Sequence, residues 1–387
     1  MTVTVDLGGL PDDRLLFAPS PLAELIAMLH LLAEPAHHPG LHGWATATAG
    51  ALPPDLADRL GEADFLWRSS RADFLVPGLP GATLAEELDA VDRLDDERFV
   101  AAALITTCGS SRLTHRRSSP LADPVARERA RELALARGPR QGAFADRLLT
   151  DPPAVRARIR RLLLECEQAF FADAWRQVLP GLAADARRKA DLLERHGLAA
   201  TLAAVSPALA LAVDEPADPN ADPNGNPEAE PGVAGPRPPH RRIVIDKLQD
   251  NTTSAVDAGG VTFLPTAFGR PHLVVVNAPG WRPVVQYPVA EAGLTDPVPL
   301  GLVQQRLEAL AHPVRLRLVR TLARGPHTTG ELADSWQLTA PEVSRHLAVL
   351  RKAGLLTTRR RGRYVLYELD LTASARLGGD LLEAVLR

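Results

Sequence analysis

Arg345 and Lys352 stand two helical turns apart, and Arg359, Arg360, Arg361 and Arg363 crowd round Gly362. Guanidinium groups bind phosphate oxygens and the acceptor edge of guanine in bidentate fashion, so this set has the chemistry of duplex DNA recognition. Arg345 suits either a guanine edge or a phosphate. The four clustered arginines suit phosphates or the minor groove, and otherwise a solvated turn. A second group, His30, His37, His38 and His42, has the residue type for zinc. Its spacing argues against a site: there is no His-x3-His repeat and no nearby acidic partner, and Pro35, Pro39 and Gly40 make the segment a loop, so no metal is expected. Cys166 falls among apolar residues at helical spacing and reads as a small buried hydrophobe. Cys108, within Thr107-Cys108-Gly109-Ser110, has no adjacent resolving cysteine for redox sensing. No nucleophile elbow, zinc-protease helix motif, phosphate loop or dinucleotide fingerprint occurs, so neither enzymatic activity nor a cofactor is expected.

The elements that would carry the basic residues are legible around them. Leu302–Ala311 has the period of a short amphipathic helix. Pro313 opens a second, with Val314, Leu316, Leu318, Val319 and Leu322 apolar, and Gly325-Pro326 stops it. Thr328 to Asp334 makes a third short helix, followed by a turn through Gln337-Leu338. Thr339-Ala340-Pro341-Glu342 has the form of a capping box with proline in the first turn. In the helix it opens, Val343, Leu347 and Leu350 share a narrow core-facing sector. Pro341, Arg345, Ala348 and Lys352 lie opposite, with Ser344 on the flank and His346 beside the core face. An outward stripe that is small-sided and cationic fits a major groove. After Gly354, two β-like runs, Leu355–Thr358 and Tyr364–Leu369, meet at the arginine-rich tip. This order predicts a winged helix–turn–helix, with Thr339, Pro341, Ser344, Arg345, His346, Lys352, Arg359, Arg360, Arg361 and Arg363 as its DNA-binding residues. Leu300–Asp370 carries a net charge of +6 within a chain of −3, which leaves −9 ahead of it. A small polyanion-binding module behind a larger acidic part fits that asymmetry.

The runs Leu307-Glu308-Ala309-Leu310-Ala311-His312-Pro313-Val314-Arg315-Leu316-Arg317, Glu331-Leu332-Ala333 and Val343-Ser344-Arg345-His346-Leu347-Ala348-Val349-Leu350-Arg351-Lys352-Ala353-Gly354-Leu355 closely resemble the ArsR-type transcriptional regulators. The resemblance spans Leu302 to Leu386. It implies a homodimer on an imperfect palindrome of double-stranded operator DNA, usually a repressor released by an effector. Apolar stripes on the first and last helices, Leu302 and Leu307 with Leu377, Leu381, Leu382, Val385 and Leu386, are assigned to dimer packing. Metal-sensing members carry a Cys-x-Cys-type motif where this chain has Glu331-Leu332-Ala333-Asp334-Ser335-Trp336. Others use Asp and His pairs on the last helix, where this chain has Leu381-Leu382-Glu383-Ala384-Val385-Leu386. Neither of those metal sites can form. Members often begin the recognition helix with Gln and Ser or Thr, where Ala340, Pro341 and Glu342 stand here, so the operator sequence does not follow by analogy. Ser20–Glu24, Ala72–Pro77 and Leu264–Phe268 resemble segments of the uncharacterised region that precedes the helix–turn–helix in longer actinobacterial members.

Ahead of that unit, helices are predicted over Pro21–Leu32, Leu56–Leu66, Leu84–Leu94, Glu97–Thr106, Asp123–Ala136, Pro153–Trp175 and Ala183–His196. Around Pro207 the period changes to two. Ala208–Val213, Arg242–Leu248, Val261–Leu264, His272–Val276 and Pro283–Tyr287 predict a small antiparallel sheet. Between its first two strands Asp214–His240 holds 8 prolines and 3 glycines in 27 residues, and reads as a disordered hairpin loop rather than an inter-domain linker. The expected fold class is α+β multidomain. It comprises a mostly α-helical N-terminal domain (1–205), a small antiparallel β-sheet region (206–290) and a C-terminal winged helix–turn–helix for DNA binding and dimerisation (300–387). The chain is 45% hydrophobic and 24% charged, has no apolar run of eighteen residues, and opens without a basic stretch followed by an apolar one. A cytoplasmic protein with no membrane partner is therefore expected. The expected function is that of a dimeric, effector-responsive repressor whose N-terminal region senses a signal, such as a small molecule, or modulates the dimer. The alternatives for that region are a degenerate enzyme and a protein-interaction module.

Overall fold

The computed structural model describes residues 2–109, 119–214, 240–247, 250–289, 298–361 and 364–386. The Pro-rich stretch 215–239, Arg363 and the side chain of Arg361 lie outside that description. The chain divides into two units, Met1–Leu294 and Thr295–Arg387. Among the described residues no helix is long and apolar enough to cross a membrane.

The strands of the first unit are β1 (Thr2–Gly8), β2 (Leu15–Phe17), β3 (Leu209–Asp214), β4 (His240–Asp246), β5 (Asn251–Ser254), β6 (Val261–Thr266), β7 (Val274–Val276) and β8 (Val284–Pro288). They form two four-stranded sheets, ordered β3-β4-β1-β5 and β2-β6-β8-β7. Both are mixed, not antiparallel as the sequence predicted: β1 is parallel to β5, and β6 is parallel to β2 and β8. Residue 205 is also no domain boundary. Strands β1 and β2 precede the helices while their hydrogen-bonded partners follow them, so the helical region is a long crossover between strands of the same sheets. In β1, Val3, Val5 and Leu7 alternate inward. They pack with Ile243 and Ile245 against Leu198, Leu202 and Val205 and against Phe263 of the second sheet. The strands that flank the Pro-rich stretch are antiparallel neighbours, with Asp214 opposite His240. Pro265 is tolerated inside β6 because of register. Phe263 O accepts from Ala18 N–H, so odd-numbered residues face β2, and β2 ends at Phe17 opposite Phe263.

Nine α-helices are described in this unit: α1 (Pro21–Ala33), α2 (His42–Ala51), α3 (Pro54–Gly61), α4 (Leu84–Asp92), α5 (Asp96–Cys108), α6 (Pro124–Arg137), α7 (Pro139–Thr150), α8 (Pro152–Cys166) and α9 (Ala172–Val205). Ser20, Thr83, Asp95, Asp123 and Asp151 cap five of them with side-chain oxygens. Helix α1 is buried on every face from Pro21 to Leu31, as a helix with apolar residues all round must be. One π-helical turn, Glu167–Phe171, joins α8 to α9, and Gly197 at φ 75° kinks α9. The expected loop after α1 is instead two short 3-10 turns leading into α2. Tyr287 Oη donates to Asp185 Oδ2 at 2.8 Å, which ties the second sheet to α9.

The second unit runs α10 (Leu300–Leu310), α11 (Pro313–Leu322), β9 (His327–Thr328), α12 (Thr329–Trp336), α13 (Ala340–Lys352), β10 (Leu356–Arg361), β11 (Tyr364–Leu369) and α14 (Leu371–Leu386). Its core is Leu318, Leu322, Leu332, Val343, Leu347, Leu350 and Leu355. The short strand β9, absent from the sequence prediction, adds a third strand beside β11.

Candidate nucleic-acid interface

Helix α13 is held by its apolar face and presented by its ends. Val343, Leu347 and Leu350 are fully buried, whereas Thr339, Pro341, Ser344, Arg345, Ala348 and Lys352 are exposed. The Thr339 hydroxyl accepts from Glu342 N–H at 3.4 Å, which is half of the expected capping box. The complete box lies one helix earlier: Thr328 Oγ1 accepts from Glu331 N–H at 3.2 Å, and Glu331 Oε2 accepts from Thr328 N–H at 2.7 Å. The Thr328 backbone N–H first, then its hydroxyl, which donates to Glu331 Oε2 at 3.0 Å, hold the Glu331 carboxyl below the usual range. The turn into α13 passes through Gln337, left-handed at φ 54°. Trp336 Nε1 donates to Thr321 Oγ1 at 3.1 Å and so fixes α12 against α11.

His346 is half-buried, with its ring 4.9 Å from that of His312. Burial, then the neighbouring His312, pushes its pKa down. In the hairpin Arg359 stands opposite Leu366 and Arg360 opposite Val365, both arginines exposed. Leu355, Leu356 and Leu369 root the hairpin in the core. Sequence reasoning missed what holds the scaffold below. Arg306 Nη1 donates to Asp380 Oδ2 at 2.7 Å, with both side chains buried, and Arg306 Nε reaches Ala353 O at 3.4 Å. The signal was available: Arg306 lies three residues from Val303 and three from Ala309, on the buried face of α10. Of the residues assigned to dimer packing, Leu302, Leu377, Leu381 and Leu386 are half-buried, while Leu307, Leu382 and Val385 are exposed. Glu331–Trp336 falls in α12 and Leu381–Leu386 in α14.

In the first unit the three segments of the looser resemblance converge. Glu24 Oε1 accepts from Ala267 N–H at 2.9 Å and Phe268 N–H at 3.0 Å, and Ala23, Val76 and Leu264 share one apolar cluster. Burial nevertheless raises the Glu24 pKa. His30 and His38 do meet, and the partner that the local spacing could not show is His272, 242 residues beyond His30. His42 is exposed at the start of α2. Cys108 and Cys166 are both buried, and burial pushes their thiols up to about 11 and about 12.

Residues 1–293 match the model of a family of unknown function, DUF5937, and residues 310–359 that of a helix-turn-helix domain. The chain is 39% identical over 87 residues to the biofilm growth-associated repressor of Agrobacterium fabrum, which covers 21% of this chain and 74% of that protein. It is 42% identical over 86 residues to the HTH-type transcriptional repressor SmtB of Mycobacterium tuberculosis, covering 22% of this chain and 62% of that protein. Among solved structures, the transcriptional repressor BigR from Xylella fastidiosa is 38% identical, over 21% of this chain and 83% of that one, with a TM-score of 0.19.

Proposed function

The chain belongs to the DUF5937 family and carries an ArsR-type winged helix–turn–helix, and from that premise we propose that it is a cytoplasmic repressor that binds operator DNA as a homodimer and releases it when a small molecule binds the unit Met1–Leu294. The observation that carries this reading is the state of the cations. Arg345, Arg351, Lys352, Arg359 and Arg360 are exposed, and none has a carboxylate partner among the described residues. In the first unit Arg59, Arg68, Arg131, Arg156, Arg158 and Arg160 are each paired with Asp or Glu. A guanidinium already paired gains little from a phosphate, whereas an unpaired one releases condensed counterions from DNA.

The homodimer rests on the apolar stripes. Leu307, Leu382 and Val385 are 41%, 44% and 60% exposed on α10 and α14, a surface that a second copy would cover by two-fold symmetry. The effector would act on dimer geometry, since only recognition helices about 34–36 Å apart meet successive major grooves. In this reading the first unit is a sensor and not an enzyme.

Sequencing the DNA retained by the purified full-length protein yields an operator, and affinities for operator and random duplex across a salt series test the surface. Arg345→Ala is expected to cost about 1–3 kcal/mol on the operator and to relax preference at one base pair. Arg360→Ala is expected to weaken both DNAs alike. Its salt slope should be shallower by roughly 0.9 for each phosphate that is no longer neutralised, twice per dimer. If neither substitution changed binding, α13 and the hairpin would not be the DNA surface.

A further inference from the structure

Three imidazoles from distant parts of the first unit meet round one point. His30 lies near the end of α1, His38 follows it, and His272 precedes β7. Nδ1 of His30 is 3.1 Å from Trp67 O, and Nδ1 of His38 is hydrogen-bonded to Arg270 O. A carbonyl can only accept, so in both rings the proton sits on Nδ1 and the lone pair on Nε2. Backbone carbonyls that fix the tautomer in this way are the usual outer support of metal-binding histidines. His30 Nε2 is 3.0 Å from His272 Nε2, and the ligand atoms of all three rings lie within 4.8 Å of one another.

A shared proton explains the contact between His30 and His272. It does not explain His38, whose residue is 1% exposed and whose Nε2 is buried with no hydrogen-bond partner. Leaving a buried acceptor unsatisfied costs about 1–3 kcal/mol, and one cation at the shared point would satisfy His38 and take the place of the proton between His30 and His272.

We propose that His30, His38 and His272 bind a divalent transition metal of the zinc class through their Nε2 atoms, with the fourth position open to an anionic ligand. Three imidazoles without thiolate or carboxylate suit zinc, copper or nickel and not calcium or magnesium. Three protein ligands leave the open position typical of sites that take an exogenous group. Arg71 supplies the reason for an anion. Its buried guanidinium acts electrostatically on both His30 and His38, its Nη1 donates to Gln286 Oε1 at 3.1 Å, and its Nε is buried without a partner. Glu24, whose carboxylate acts on Arg71, offsets at most one of the three positive charges that Arg71 and a dication bring together, so the open position suits an anion. The site lies within the first unit, and its test does not depend on DNA binding.

Tag-free full-length protein, stripped with a chelator and dialysed against Zn2+, is expected to hold one ion per chain and to melt at higher temperature with the ion than without it. With Co2+ it is expected to show the intense visible absorption of a tetrahedral nitrogen-rich site, and azide is expected to shift that spectrum. His38→Ala and His272→Ala are expected to weaken Zn2+ binding at least about 100-fold. His42→Ala, an exposed histidine nearby, leaves it unchanged. The rings of His37 and His272 are 5.5 Å apart by centroid, so His37→Ala checks the ligand set. Because a substituted variant can fail to fold, circular dichroism accompanies each, and the wild-type stoichiometry, melting shift and Co2+ spectrum decide independently of the variants. Absence of a stoichiometric ion in wild-type protein overturns the site. Folded His38→Ala with unchanged affinity, or loss confined to His37→Ala, overturns the ligand set, and a Co2+ spectrum indifferent to azide overturns the open anionic position.

Discussion

Removing the Asp380 carboxylate tests how α10, α14 and the end of α13 are held as one scaffold. The ion pair of Arg306 and Asp380 spans 2.7 Å with side chains 9% and 4% exposed. A second cation, Arg376, stands 3.6 Å from Asp380 with its side chain 31% exposed. Breaking a buried pair from one side costs about 3–5 kcal/mol, against about 0–1 kcal/mol for a solvated pair. Asp380→Asn leaves the Arg306 cation buried without a counter-charge, its acceptors reduced to a neutral amide oxygen and the long hydrogen bond to Ala353 O, so the range for a broken buried pair applies. At roughly 4–8 °C per kcal/mol for a unit of this size, the melting temperature of the second unit falls by more than about 10 °C. Arg306→Met costs less, about 2–3 kcal/mol, because Arg376 still faces the carboxylate. The double variant Arg306→Met/Asp380→Asn is more stable than Asp380→Asn alone, since neither charge then requires solvation. Hydrogen exchange of peptides from Thr295–Arg387 across a urea series reads this unit separately from the first, and the four proteins close a double-mutant cycle. Destabilisation within about 1 kcal/mol in each single variant, or strict additivity in the double one, would refute the reasoning and class the pair with solvated ion pairs.

Two further outcomes concern buried titratable groups of the first unit. Burial of Cys108 and Cys166, with thiols near 11 and 12, predicts that iodoacetamide at mildly alkaline pH labels neither in native protein and both after guanidinium unfolding; rapid native labelling would contradict their packing. Glu87 is raised from 4.5 to about 7, burial outweighing the bonds it accepts from Leu22 N–H, Ser20 Oγ–H and Gly81 N–H. The fold therefore holds its proton more tightly than the unfolded chain does. The resulting stability is complete below 4.5 and lost as pH rises through about 7, so the decline in melting temperature over that window should flatten in Glu87→Gln. An equal slope in both proteins would remove Glu87 as its source.

What was legible in the sequence is what is local. Caps such as Asp95, Asp123 and Asp151 announce their helices within three residues, and the winged helix–turn–helix lies in one continuous stretch. Helix α2 escaped because Ala45 is its only buried residue and leaves no apolar stripe. Helix α7 escaped because Gly138, Pro139 and Gly142 read as a break, although Phe144, Ala145, Leu148 and Leu149 mark its buried face. The mixed sheets were hidden by distance: Val3, Val5 and Leu7 alternate visibly, but their partners Ile243 and Ile245 lie beyond all nine helices. His272 was hidden from His30 in the same way. Thr328/Glu331 and Thr339/Glu342 share one sequence pattern, and only the first closes in both directions; Glu342 acts instead on His346, one turn further along its own helix.

The place of β1 has a consequence for synthesis. It leaves the ribosome ahead of both its neighbours, β4 and β5, which lie in residues 240–254. At about 5–20 residues per second, a nascent chain carries Thr2–Gly8 with both edges unpaired for roughly 12–50 s. Throughout that interval a strand bearing Val3, Val5 and Leu7 is open to pairing with other nascent chains, with Asp6 as its one charged interruption. The sheet closes only after the last helix of the first unit has been made. The winged helix–turn–helix emerges later still, so a chain stalled anywhere before residue 300 lacks that unit altogether.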